Sequence, residues 1–259
     1  MTEQLAGATG VAQRMLSTAE VHRPQRVSVR RKLLEDYRAL VGDDLVGEIR
    51  ERGRALRGLR VLELSSTATG GGVAELLSSL VPLQRDVGLN VEWHVVTADP
   101  GFFEVTKRIH NGLQGMAIEL TAEDREIYLH ANSANAAALA RDWDVVVVHD
   151  PQPAAVRRFA DGGGARWLWR CHVDSSSPHP PVWGVLRPFV EDHDLTAFTL
   201  QEFAPGDMRV PVRLLVPAID PLSSKNRELP GYLARQTAAE LGLDLHRPLL
   251  LQVSRFDPW

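Results

Sequence analysis

The 259-residue chain is 44% hydrophobic and 24% charged, an ordinary globular composition with enough length for one large domain or two small ones. Its net charge of −4 gives no basic excess for nucleic acid, and no apolar run approaches the roughly 20 residues that span a bilayer. Because Cys171 is the only cysteine, an internal disulfide is excluded, and we expect a reducing, cytoplasmic location.

The beginning of the chain shows no strand pattern. Residues 1–22 have weak periodicity, lack the charged-then-apolar order of a signal peptide, and are predicted to form a flexible leader. Residues 23–58 are predicted to form a helical extension of two amphipathic helices, because apolar side chains such as Leu34, Tyr37 and Val41 recur at helical spacing. The many arginines and acidic residues between them indicate a solvated face.

Over residues 59–218, short apolar runs alternate with helical segments. The run from Val145 to Val148 is apolar without alternation, which is typical of a strand buried on both faces of a parallel sheet. This order of elements predicts an α/β fold with a Rossmann-like, doubly wound parallel sheet. Ligands of such folds bind beyond the carboxyl ends of the strands, so the residues at those ends are the candidates for chemistry.

The first strand end leads into three consecutive glycines, Gly70, Gly71 and Gly72, just before a predicted helix. Such a loop exposes backbone N–H groups beside the positive end of a helix, an environment that suits phosphate oxygens. The segment matches neither GxGxxG nor the Walker pattern, so a plain tight turn is an equal alternative.

Two later strand ends carry histidine and aspartate. His149 and Asp150 precede a proline-stiffened turn, where the carboxylate is expected either to bind sugar hydroxyls or only to cap the next helix. His172 and Asp174 point to the same side of an extended chain. His172 is a candidate to donate to a substrate oxygen or to take its proton, against the alternative of a satisfied core histidine.

Other chemistries find less support. The same four residues and His179 show no HxxxH or HExxH spacing, so no metal site is predicted. No GxSxG nucleophile elbow occurs. Cys171 and His172 are neighbours in a strand and point to opposite faces, so Cys171 is predicted to be a small buried hydrophobe.

The last segment, residues 219–259, is predicted to be a linker followed by the first strand of a further domain. Pro217, Pro221 and a polar run suggest the linker, and the apolar run from Leu249 to Val253 suggests the strand. Exposed apolar residues such as Leu250 would favour self-association, including a homodimer.

Several segments together resemble the trehalose glycosyltransferring synthases, which are retaining glycosyltransferases of family 4 with the GT-B fold. The resemblance runs from about Arg31 to Trp259 and is carried by the segments STATGGGVAELLSSLVPL, FFEVTKRIHNGLQG, VVHDPQPAA, WLWRCHVDSSSP, AIDPLSSKN and QVSRFDPW. It implies that residues 59–218 are the N-terminal, acceptor-binding half of a GT-B enzyme. It also implies a reversible transfer of glucose from a nucleoside diphosphate glucose to glucose, giving trehalose.

The resemblance also implies roles for individual residues. Gly71, Gly72 and Arg255 would bind the donor diphosphate, and His172 would be the catalytic residue beside the transferred sugar. Acceptor hydroxyls would be bound by His149, Asp150, Gln152 and Asp174. Thr69 stands where the family usually has an aromatic residue, so contacts of the glycine loop are expected to differ.

The implied substrates are glucose or trehalose and a nucleotide sugar, ADP-glucose or UDP-glucose, with no tightly bound cofactor and Mg²⁺ as an assisting ion. Because the implied C-terminal nucleotide-sugar domain is missing, the chain is expected to be nearly inactive alone. Two alternatives stay open: half of a trehalose phosphorylase, or a non-catalytic fragment that binds a sugar or a partner.

Overall fold

The computed structural model describes residues 22–140, 142–161 and 163–253. The predicted leader, residues 1–22, lies outside this part except for His22, and Arg255 lies outside it as well. His22 is buried, with its Nε2 3.4 Å from the Asp99 carboxylate.

The described residues form a seven-stranded sheet with the order β1-β3-β2-β4-β5-β6-β7. All neighbouring strands are parallel except β1, which pairs antiparallel with β3 at one edge. The predicted α/β, doubly wound parallel sheet is therefore confirmed. The strands are β1 (Gln25–Arg26), β2 (Arg60–Ser65), β3 (Asn90–Val95), β4 (Val145–His149), β5 (Arg166–Arg170), β6 (Leu195–Phe198) and β7 (Val212–Leu214).

Helices cover both faces of this sheet. They are α1 (Arg38–Ala55), α2 (Gly72–Asp86), α3 (Pro100–Leu113), α4 (Ala122–Ala137), α5 (Val156–Phe159), α6 (Pro180–Val190) and α7 (Gly231–Glu240), with 3-10 turns at Leu34–Tyr37 and Gln201–Phe203. Helix α4 begins with a capping box, in which the side chains of Thr121 and Asp124 each accept the backbone N–H of the other residue.

Two apolar clusters hold the layers together. On one face, α2 packs Leu77 and Val81 against Val61 and Trp93 of the sheet. On the other face, α3, α4 and α6 contribute to a larger cluster that includes Leu62, Leu64, Val146, Val148 and Trp169. Strand residues of β2 and β4 thus alternate between two buried layers, which explains why β4 is apolar without alternation.

Parts of the sequence interpretation need correction. The predicted helical extension over 23–58 is helical only from Leu34 to Ala55 and is interrupted at Gly42, where φ is +83°. Its start instead adds β1 to the sheet. A two-residue strand has no apolar pattern to reveal it, since both of its side chains are exposed.

Contacts within the chain define two units, one up to Ala218 and one from Ile219 onward. In the described part of the second unit, α7 is regular, but the predicted strand over Leu249–Val253 is not formed. The described part of the second unit contains no other strand to pair with these backbone groups, so a strand at this position stays a prediction. Among the described helices, none is both long and apolar enough for a membrane span.

Candidate functional site

The site is built where the order of the sheet reverses. From β2 the chain continues to β3 on one side, whereas β4 joins β2 on the other side. The carboxyl ends of β2 and β4 therefore flank the topological switch point, the usual ligand position in open α/β sheets.

Strand register places three polar side chains on one face there. Glu63 pairs with Val147, and His149 lies two residues farther along β4, so both leave the sheet on the α2 face. His149 pairs in turn with Arg170 of β5, and His172 follows Arg170 by two residues.

These side chains form a continuous hydrogen-bonded chain. Glu63 Oε2 lies 2.8 Å from His149 Nε2, and His149 Nδ1 lies 2.9 Å from His172 Nε2. Glu63 and His149 are 2% and 1% exposed, whereas His172 is half-buried. His149 has both ring nitrogens engaged and offers neither to a ligand in this arrangement, while Nδ1 of His172 has no hydrogen-bond partner among the described residues.

Asp150 sits in a strained turn directly behind His172. Its φ is +64°, a left-handed conformation that aspartate tolerates better than most residues. Its Oδ1 accepts the His172 backbone N–H at 2.8 Å, and its backbone carbonyl accepts the Trp169 indole N–H at 2.9 Å. Burial raises the pKa of the Asp150 carboxyl to about 6. The side chain therefore positions the loop that presents His172.

The environment keeps His172 neutral. Burial lowers the pKa of His172 to about 3, with His149 and Arg170 adding to the effect. Arg170 is 5% exposed, and burial also lowers its pKa, against the attraction of Glu63 and Asp150. An uncharged imidazole has one nitrogen with a lone pair that can accept a hydrogen bond near pH 7.

Gln152 and Asp174 lie farther along the same two chain segments. Gln152 Oε1 is buried with no hydrogen-bond partner among the described residues, while its backbone carbonyl accepts from Asn132 at 3.1 Å. Asp174 is exposed, and its Oδ1 accepts the Ser176 N–H at 2.9 Å. A buried amide oxygen without a partner is costly, and a bound hydroxyl or water would remove that cost.

The glycine loop ends β2 on the same edge. Gly70 and Gly71 have φ of +71° and +101°, and α2 begins at Gly72 without a side-chain cap. All three glycines are exposed, and a Cβ added at any of them would meet nothing within 4 Å. The space beside these glycines is therefore open, and no side chain caps the first N–H groups of α2.

Two other expectations concern neighbouring residues. Cys171 is 2% exposed and belongs to the cluster on the opposite face from His172, which confirms the predicted buried hydrophobe, and burial raises the pKa of its thiol. His179 Nδ1 lies 3.3 Å from the Ile118 N–H, away from the histidine pair. Within the described ranges, no group of three or more His, Cys, Asp or Glu side chains is arranged to hold a metal ion.

Sequence reasoning missed Glu63 and Arg170. Both lie in strands, where the sequence pattern indicates the solvent-facing side of a half-buried strand. One signal was available for Glu63: β2 neighbours the uniformly apolar β4, so a carboxylate in it needs a buried partner.

Comparison with known proteins agrees with this architecture. A family described as "Trehalose synthase, N-terminal domain" matches residues 63–205, more than half of the chain. The chain belongs to this family. A trehalose synthase from Rubrobacter xylanophilus is 50% identical over 241 residues, covering 91% of this chain and 58% of the relative. A trehalose synthase from Pyrococcus horikoshii is 42% identical over 88% of this chain and 56% of its own length.

The chain therefore spans little more than half the length of these trehalose synthases. A trehalose phosphorylase from Pleurotus pulmonarius is 27% identical over 87% of this chain and 35% of its own length. Among solved structures, the trehalose-6-phosphate synthase OtsA superposes with a TM-score of 0.51 at 16% identity, covering 71% of this chain and 55% of that structure. The fold of the first unit is thus that of the N-terminal, Rossmann-like half of a GT-B glycosyltransferase.

Proposed function

We propose that this chain is the acceptor-binding half of a retaining glucosyltransferase that joins glucose from a nucleoside diphosphate glucose to free glucose, reversibly forming trehalose. The observation that carries the proposal is the half-buried, neutral His172 held at the switch point by a buried histidine. The similarity to trehalose synthases, 50% identical over 91% of the chain, supports the choice of sugar.

His172 is the proposed catalytic residue. Its Nδ1 is the ring nitrogen that has no partner among the described residues, and it belongs to a neutral imidazole. Such a nitrogen can accept a hydrogen bond from a hydroxyl of the reacting sugar and orient it for transfer. Removing one positioned hydrogen-bonding group from an active site typically lowers a rate roughly 10²–10³-fold.

Acceptor binding falls to the residues around the histidine. The buried Oε1 of Gln152 lacks a protein partner in the described structure, as expected for an atom that accepts from a sugar hydroxyl. Asp150 and the exposed Asp174 offer carboxylate oxygens on the same edge. We propose that His149 acts on the acceptor only through His172, because both of its ring nitrogens are engaged.

The glycine loop is the proposed contact for the donor diphosphate. Gly71 and Gly72 present exposed backbone at the N-terminus of α2, where phosphate oxygens are stabilised by free N–H groups and the helix dipole. The proposed role of Arg255 concerns a residue outside the described part. The described residues do not fit a Mg²⁺ site, so no step of this proposal uses the ion.

The chain alone is expected to have little transferase activity. Holding two substrates in reactive geometry can be worth about 7–11 kcal/mol of the barrier. In the proposed enzyme a second domain binds the nucleotide sugar, so a chain with only the acceptor half cannot supply this term. Binding of glucose or trehalose would remain, with reduced affinity.

A chimeric protein tests the reaction. The chain is joined to the part of the Rubrobacter xylanophilus relative beyond the matched residues and assayed in two mixtures. Trehalose formed from ADP-glucose or UDP-glucose and glucose supports the proposal. Phosphorolysis of trehalose, with no transfer from either nucleotide sugar, would favour the phosphorylase alternative that the Pleurotus pulmonarius similarity raises. Sugar binding without either reaction would favour a non-catalytic binding role.

A further inference from the structure

The buried carboxylate of Glu63 has no direct access to the proposed sugar site, yet it is connected to it. It lies in the middle of β2, 2% exposed, and its two oxygens have different partners. Oε2 meets His149 Nε2 at 2.8 Å, and Oε1 accepts the amide N–H of Gln84, from α2, at 3.3 Å. His149 then contacts His172 at 2.9 Å.

The positions of the protons along this series of hydrogen bonds follow from the Glu63 carboxylate. An ionised carboxylate can only accept, so His149 must carry its proton on Nε2. If His149 holds only this one proton, its Nδ1 has a lone pair and His172 donates to it from Nε2, whereas a second proton on His149 would reverse that bond. The remaining nitrogen of His172, Nδ1, is left unprotonated.

We propose that Glu63 is a positioning residue that fixes His172, through His149, as the tautomer with an unprotonated Nδ1 facing the sugar site. The inference rests on the proposed function for the identity of the ligand, a sugar hydroxyl that donates to Nδ1. It decides between the two roles that the sequence left open for His172: the residue accepts and does not donate. Glu63 and His149 act through His172 and do not touch the substrate.

We call the hydrogen-bonded series Glu63–His149–His172 the relay. The charged groups around the relay are consistent with this proton arrangement. Arg170, which is buried on the same face, attracts the Glu63 carboxylate. The same arginine and the burial of the pair disfavour a second positive charge on His172. A buried carboxylate with two hydrogen-bond donors and a nearby cation is adequately compensated.

Replacing Glu63 by glutamine should reverse the direction of both hydrogen bonds, from residue 63 to His149 and from His149 to His172. Gln84 continues to donate to the oxygen of residue 63, so the new NH₂ group faces His149 Nε2, which must then accept. His149 would carry its proton on Nδ1 and donate to His172 Nε2. His172 would then expose a protonated Nδ1, and the site would offer a donor where the sugar requires an acceptor.

Side-chain ¹⁵N NMR of the histidines in the 259-residue chain tests this without any ligand. We expect His149 and His172 to carry their protons on Nε2 in the wild type and on Nδ1 in Glu63→Gln. The matched control is Glu92→Gln, because Glu92 Oε2 contacts His94 Nε2 at 2.8 Å on the opposite face of the sheet. It should alter the His94 signals and leave those of His172 unchanged.

The proposal is overturned if wild-type His172 carries its proton on Nδ1, or if Glu63→Gln folds and leaves the proton on Nε2. Should Glu63→Gln not fold, the wild type still decides. A His149 Nε2 proton shifted far downfield by its bond to a carboxylate supports the relay, and an unshifted one contradicts it. This test is independent of the proposed function, because the histidine tautomers are measured without any sugar. A chimera that forms no trehalose would contradict the proposed function but would say nothing against the predicted tautomers.

Discussion

The two parts of the candidate site at the carboxyl edge of the sheet are built in opposite ways. His172 is held by buried side chains: Glu63 and His149 are almost fully buried, Glu63 is hydrogen-bonded to His149, and His149 is hydrogen-bonded to His172. The glycine loop is exposed, a Cβ added at any of its glycines would have no neighbour within 4 Å, and no side chain caps the helix that follows. The first is organised before a ligand arrives, and the second is expected to acquire its contacts from the ligand.

The largest effect should come from the organised half. His172→Ala removes the proposed acceptor and should lower trehalose formation by the chimera roughly 10²–10³-fold. His94→Ala is the matched control, since His94 is also half-buried and hydrogen-bonded to a strand carboxylate but lies on the opposite face. A His172→Ala chimera with the full rate would remove His172 from the mechanism.

A smaller effect, on stability, is expected at the turn behind the histidine. In the folded protein the pKa of Asp150 is raised to about 6. Below about pH 4 its carboxyl is protonated in both the folded and the unfolded state. As pH rises from there to about 6, the unfolded state ionises first, so the folded state loses stability. Asp150→Asn removes this cost, keeps the acceptor for the His172 N–H and tolerates the positive φ. We expect a gain of about 2 kcal/mol in unfolding free energy at pH 7 and little at pH 4.

Urea unfolding at the two pH values measures this gain. Asp144→Asn is the control of opposite sign: hydrogen bonds from Arg60 hold the pKa of that carboxyl below its usual value. Its contribution is present above about pH 4 and is lost only as pH falls further, so the variant should be destabilised at both pH values. An equal effect of Asp150→Asn at both pH values would mean that the buried carboxyl imposes no ionisation cost.

The smallest effect should be found in the open half. Gly72 has no positive φ and no neighbour within 4 Å of an added Cβ, so nothing in the described structure requires glycine there. Gly72→Ala should therefore leave thermal stability unchanged but weaken nucleotide-sugar use by the chimera about tenfold, because a methyl group blocks the approach of the diphosphate. Gly47→Ala, in the interior of α1 and equally unobstructed, should leave nucleotide-sugar use unchanged and raise thermal stability slightly, because alanine is the better helix former. An unchanged KM for the nucleotide sugar in Gly72→Ala would place the diphosphate elsewhere.

Much of the sheet could be predicted from the sequence because its strands are short and strongly patterned. Val145–Val148 indicated a doubly covered strand, and the order of strands and helices gave the carboxyl edge as the place to look. The edge strand β1 and the absence of pairing at Leu249–Val253 could not be predicted, since both depend on whether a partner strand is present.

The site was predicted less completely than the fold. His172 is a candidate because of its position after a strand, and Gln152 is a candidate through the family resemblance. The relay was not, because Glu63 is 86 residues away from His149 along the chain and meets it only when β2 and β4 pair. Direct contact of His149 with the acceptor stays a prediction from the resemblance, although the structure shows both of its ring nitrogens engaged. Periodicity reports which face a side chain takes, and it does not report the partner it finds there.

Titration of the isotope-labelled 259-residue chain with glucose tests the central claim most directly, with the side-chain ¹⁵N signals of all described histidines observed together. The account predicts that His172 Nδ1 shifts progressively as a sugar hydroxyl donates to it, that the Gln152 amide shifts with it, and that His94 and His193 do not. Unchanged His172 and Gln152 signals throughout the titration, or shifts confined to residues away from this edge, would contradict it.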